Sequence, residues 1–97
     1  MSQVEVKIIK NEEGIILAEA EYVDGKLHGY SRVWHLNGQL TQEAYYKNGK
    51  HHGSYKSWWD DGTLKEEGSF ENGSRKGVYR WYSIDGKLWQ EHEYDGE

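Results

Sequence analysis

A chain of 97 residues without a cysteine or a proline holds one domain, with no disulfide and no thiolate metal site. Its formal net charge of −5 disfavours nucleic acid and anionic lipid, which both need a basic footprint, and is compatible with a basic protein partner. Only 35% of the residues are hydrophobic and 30% are charged, yet there are five Trp, eight Tyr and one Phe. Disordered chains are poor in aromatics, so the composition points to a thin fold whose apolar contacts come mostly from rings.

The opening MSQVEVKIIK is too polar for a secretory signal, and no apolar run is long enough to span a bilayer. The expected location is the cytoplasm, and no cofactor is expected. Val4, Val6 and Ile8 alternate in the manner of a strand over about 3–10. From there the chain is punctuated by Glu13-Gly14, Asp24-Gly25, Asn37-Gly38, Asn48-Gly49, Asp61-Gly62, Asn72-Gly73, Asp85-Gly86 and Asp95-Gly96. Such pairs suit tight hairpin turns, because Gly and, less readily, Asn and Asp accept positive φ. Between them lie runs rich in Tyr, Trp, Thr and Val, which predict further strands over roughly 15–23, 29–36, 39–47, 53–60, 63–71, 77–84 and 87–94. The fold class is all-β: a single-layer antiparallel meander of β-hairpin repeats with about eight strands.

The repeat has a period of 24 residues. Residues 25–48, 49–72 and 73–97 align in the columns Gly25/Gly49/Gly73, Gly29/Gly53/Gly77, Gly38/Gly62/Gly86, Leu40/Leu64/Leu88, Glu43/Glu67/Glu91 and Tyr46/Phe70/Tyr94. Residues 1–24 form a degenerate capping unit of the same domain. Two kinds of turn are expected: two-residue loops at Asn37-Gly38, Asp61-Gly62 and Asp85-Gly86, and a longer loop or a bulge where Gly25, Gly49 and Gly73 open a G-x-x-x-G.

Two-residue loops set opposing positions by arithmetic. Arg32 then faces Glu43, Lys56 faces Glu67 and Arg80 faces Glu91, so one structural ion pair is expected in each unit. The same register puts Tyr55 opposite Gly68, where a ring can cover bare backbone. One face carries Trp34, Trp58 and Tyr82 beside the ion pairs. The other carries Leu40, Leu64 and Leu88, the column of Tyr22, Tyr46, Phe70 and Tyr94, and Val33, Tyr55, Trp59, Tyr79 and Trp81. Glu91, Glu93, Asp95 and Glu97 would discourage pairing at an open last strand.

No catalytic constellation stands out. Glu43, Glu67 and Glu91 recur once per unit, whereas catalytic acids come as one pair in unlike environments. His51 and His52 sit in a G-x-x-x-G stretch without accompanying ligands, which reads as a solvated loop and not a metal site. The candidate protein-binding residues are aromatic: Trp34, Trp58 and Tyr82 with Tyr30 and Trp89 near them, and also Tyr55 and Tyr79. Trp59, Trp81 and Trp89 do not recur at one column. Residues that break a repeat are better placed for partner-specific contact than those that define it.

The pattern G-K-x-x-G-x-x-x-x-W-x-x-N/D-G-x-L-x-x-E-x-x-Y/F-x-N-G resembles the bacterial MORN-repeat variant, including YwqK-type antitoxin-like hairpin repeats. Gly29, Trp34, Asn37, Gly38, Leu40, Glu43 and Tyr46 carry the resemblance, with their equivalents in the next two units; Tyr82 stands where the first two units have Trp. The resemblance implies a hairpin-repeat sheet, no catalysis in the repeats, and a role in holding other proteins. The reading that follows is a non-catalytic protein-binding module, an immunity or antitoxin-like inhibitor that occludes a more basic toxin or effector. A structural module that self-associates, and a platform for carbohydrate or another small ligand, are the alternatives.

Overall fold

The computed structural model describes residues 3–95. Eight strands follow one another in a single open antiparallel sheet, each hydrogen-bonded to the next in the chain. They are β1 (Val4–Lys10), β2 (Ile16–Val23), β3 (Lys26–Trp34), β4 (Leu40–Lys47), β5 (Lys50–Trp58), β6 (Leu64–Glu71), β7 (Ser74–Tyr82) and β8 (Leu88–Asp95). The molecule measures 40 × 36 × 12 Å. Eight strands abreast at about 4.8 Å need roughly 34 Å of width, which the two long dimensions supply and a sheet folded onto itself would halve, so the molecule is one layer. The core is correspondingly small: only Ala44, Tyr79 and Ser57 are buried among the described residues.

The turns are the reverse of those the dipeptides suggest. Asp24-Gly25, Asn48-Gly49 and Asn72-Gly73 are the two-residue turns, with both residues at positive φ (52° and 79° in the first) as a type I′ hairpin requires. β3, β5 and β7 therefore start at Lys26, Lys50 and Ser74, three residues before the expected positions, and they end two residues earlier than expected. At Asn37-Gly38 only the glycine has positive φ. Gly38 N–H donates to His35 O and His35 N–H donates to Gln39 O, which closes a three-residue loop; the same bonds recur at Trp59 and Ser83. The second glycine of each G-x-x-x-G lies in a bulge: residues 28–30 oppose Glu21, and residues 52–54 oppose Tyr45.

The interior register survives the change of loop. The extra loop residue is offset by one bulged residue on the return strand, at Thr41, Lys65 and Trp89. Arg32 still faces Glu43, Lys56 faces Glu67 and Arg80 faces Glu91. The bulge also pairs Trp34 with Leu40, Trp58 with Leu64 and Tyr82 with Leu88. Directly opposed residues share a face, so the leucines lie on the side of Trp34, Trp58 and Tyr82 and not across from them.

Two of the three expected ion pairs close. Arg32 Nε is 2.8 Å from Glu43 Oε2, and its Nη1 is 3.6 Å from Glu19. Arg80 Nε lies 3.6 Å from Glu91. Lys56 and Glu67 are register partners without an ion pair within 4.0 Å among the described residues; the Glu67 carboxylate accepts the Tyr82 hydroxyl at 2.5 Å. Neighbouring hairpins are tied along the array as well. Gly49 N–H donates to Leu27 O and Gly73 N–H to His51 O, while His28 and His52 use Nδ1 to accept the backbone N–H of Asn48 and Asn72.

Candidate functional site

Rings dominate the face that carries Tyr55, and their placement follows from small residues opposite them. Ala44 and Gly68 flank the Tyr55 position in the register. The ring nearest Gly68 is nevertheless Tyr79, from the strand on its other side: a Cβ at Gly68 would lie 2.1 Å from Tyr79 Cδ2. Tyr79 is fully buried and donates its hydroxyl to Glu66 at 2.6 Å. Burial first, and then the accepting carboxylate, push its phenol well above the ordinary range, so it stays protonated. Tyr55, Phe70, Trp81 and Tyr94 contact its ring, with Trp81 at 4.8 Å between centroids. The Arg75 guanidinium sits over the same group, 4.7 Å from the Tyr79 centroid and 5.7 Å from Trp81.

His51 belongs to this cluster and is not in a solvated loop. Its ring is stacked between Tyr46 at 4.4 Å and Phe70 at 4.7 Å, on β5. Burial lowers its pKa, because the apolar sandwich disfavours the charged imidazolium. Leu27, His51 and Arg75 occupy one column of the repeat, and the latter two each touch Phe70. Sequence reading missed this pair because its strand start fell three residues late. The 24-residue spacing of 27, 51 and 75, with apolar ring columns beside them, was the available signal. Among the described residues no group of three or more His, Asp or Glu is placed to hold a metal ion.

At the end of the sheet that carries the three-residue loops, the cluster leads into a cleft of about 480 Å³. Trp59, Trp81, Trp89, Tyr82 and Ile84 line it, with Lys65 at one side. Each arrives by a different route. Trp81 is on β7 and leans on Tyr79. Trp59 follows β5 directly and carries the Lys65 ammonium 4.7 Å above its ring. Trp89 is the bulged residue of β8 and is 71% exposed. The three tryptophans that break the repeat thus converge at one place. Trp59 Nε1 is buried there without a hydrogen-bond partner among the described residues.

A second groove, of about 630 Å³, adjoins the first and shares Trp59, Lys65 and Ile84 with it. Its walls add Trp34, Trp58, Asp60, Asp61 and Glu66. Together the two make an apolar slot with an acidic shoulder. The backbone and side-chain N–H and O–H groups of Thr63, which hydrogen-bond the Asp61 carboxylate, lower its pKa and keep that shoulder charged.

The other aromatic candidates are held in structural contacts. Tyr79 has no exposed surface, so it supports the cleft from beneath and cannot touch a partner. Tyr55 packs edge-on to His51 and Phe70. Tyr30 lies 4.2 Å beneath the Arg32 guanidinium, in the ion-pair row.

Three segments, 27–48, 52–72 and 75–95, match the sequence model of a repeat family described as the MORN repeat variant, and they cover well over half of the chain. No curated protein and no solved structure matches it.

Proposed function

The chain belongs to the MORN repeat variant family, whose repeats generally serve as non-enzymatic modules for protein or membrane interaction, and from that premise we propose that it binds a protein at the tryptophan cleft. The observation that carries this is the convergence of Trp59, Trp81 and Trp89, three residues the repeat does not require. Trp and Tyr supply most hot-spot energy at interfaces, and a rigid, partly desolvated slot is where they do so. The acidic shoulder of Asp60, Asp61 and Glu66 and the net charge of −5 favour a partner that sets a basic residue beside an apolar anchor. The same charge weighs against a membrane surface. The partner we propose is a more basic toxin or effector, held in the cytoplasm and inhibited by occlusion, as an immunity protein or antitoxin would do.

Trp89→Ala is the cleanest test, because the side chain is largely exposed and supports little of the fold. Against a co-purified basic toxin, calorimetry should show Trp89→Ala and Trp81→Ala each weakening the complex by about 2 kcal/mol, and Trp34→Ala far less. Affinity should also fall with added salt. Unchanged affinity in both cleft variants would remove the cleft from the interface. A complex that binds normally yet leaves the toxin fully active would remove the inhibitor reading.

A further inference from the structure

β1 is an edge strand whose outer side pairs with no strand among the described residues. Its apolar residues are open to solvent: Val4 is 62% exposed, Val6 47% and Ile8 49%. They stand in one row, because they oppose Val23, Glu21 and Glu19 on β2, while Glu5 and Lys7 oppose Tyr22 and Ala20 and point to the other face. An open edge of this kind is a template for another strand.

We propose that β1 pairs antiparallel with β1 of a second copy of this chain, in the register that sets Val6 opposite Val6. A two-fold axis normal to the sheet keeps each face on its own side, so opposed positions must sum to an even number. The sum of 12 pairs Val4 with Ile8, Val6 with Val6, and Glu5 with Lys7, each from the two copies. One face then gains an unbroken apolar row and the other gains two ion pairs. The neighbouring registers fail: a sum of 14 sets Lys7 against Lys7, and a sum of 10 sets Glu5 against Glu5. The other edge does not compete. On β8, Glu91 and Glu93 lie on the face of Val4, Val6 and Ile8, so pairing β8 with β8 opposes like charges, and pairing β8 with β1 sets carboxylates against valine and isoleucine.

Light scattering across a concentration series should show a dimer. Glu5→Lys or Lys7→Glu alone should raise its dissociation constant roughly tenfold, since both pairs become like-charged. The double variant Glu5→Lys with Lys7→Glu should restore it, with far-UV circular dichroism unchanged throughout. The chain has no cysteine, so register can be read by oxidation: Val6→Cys should cross-link two copies and Lys7→Cys should not. A monomer at every concentration, cross-linking through Lys7→Cys in preference to Val6→Cys, or single charge reversals without effect would each overturn the proposal. So would a dimer abolished by Trp89→Ala, because association would then run through the cleft.

Discussion

Gly68→Ala tests whether one ring organises the sheet. Gly68 does not have positive φ, so its backbone accepts alanine without strain. In an unobstructed site the substitution would stabilise the fold by about 0.4–1 kcal/mol, by restricting the unfolded chain. Here the new Cβ would lie 2.1, 2.6 and 2.7 Å from three carbons of the Tyr79 ring, where ordinary contact begins at 3.4 Å. The ring cannot retreat cheaply, because Tyr55, Phe70, Trp81 and Tyr94 touch it and its hydroxyl is bound to Glu66. Overpacking of this kind costs about 1–3 kcal/mol, which outweighs the entropic gain. A net loss of about 1–2 kcal/mol lowers the midpoint of thermal unfolding by roughly 5–15 °C in a chain of this size. The control is a Tyr79→Ser background, which with Gly68→Ala copies the pairing of Ser31 with Ala20. There Gly68→Ala should stabilise. Circular dichroism melts of the four proteins close the cycle. If Gly68→Ala raises the melting temperature with Tyr79 present, the ring does not occupy the space above Gly68, and the account of the core is wrong.

Asn48→Ala should cost about 1–2 kcal/mol in urea unfolding, because Asn48 holds φ 52° in a type I′ turn, whereas Asn48→Gly should cost nothing measurable. The pKa of His51 is lowered in the folded state, so the unfolded chain takes up its proton first. Stability should therefore fall as pH drops through the unfolded value near 6.5 and level off below the folded one; His51→Phe should flatten that segment of the curve. The lowered carboxylates Asp61, Glu71 and Asp85 act in the same direction but at more acid pH, below about 4. Amide hydrogen exchange should be fastest in β1 and β8, each paired on one side only, and slowest in β5 to β7, where the rings lie; uniform protection across all eight strands would contradict it.

The layer count, the strand order and the interior register were legible because the 24-residue period fixes which columns repeat, and because opposite charges at Arg32 and Glu43 or Arg80 and Glu91 choose one alignment. The turn types were not. Asx-Gly pairs stand at both ends of each hairpin from β3 onward, and the dipeptide alone does not say whether the first residue takes positive φ. The decision rests on longer-range contacts: Gly49 N–H reaches Leu27 O across the array, and the bulge at Thr41 absorbs the extra residue of the other loop. That bulge is also why the leucine column changed face, since one unpaired residue inverts the alternation beyond it. The cleft was half legible. Its tryptophans could be singled out as breaks in the repeat, but Ile84 and Lys65 enter it only through the loop and bulge geometry.

The repeat-breaking residues did not change alone. Along the column at 31, 55 and 79 the side chain grows from Ser to Tyr and Tyr, while the residues at 20, 44 and 68 run Ala, Ala and Gly. Of these three, Gly68 is the one without a methyl, and the Tyr79 ring lies in the space a methyl would fill. A single layer cannot bury a ring beneath a second sheet, so it must make room within its own plane, and removing a Cβ from a neighbouring strand does that. Tyr79 is consequently the one large side chain among the described residues brought to zero exposure, and Trp81, two residues on, inherits a fixed support at 4.8 Å. The first unit has Ser31 and Val33 at these positions and no comparable ring contact. The apolar slot therefore arises where the array has been repacked to hold it still, and its position near the C-terminal end follows from Gly68 as much as from the tryptophans.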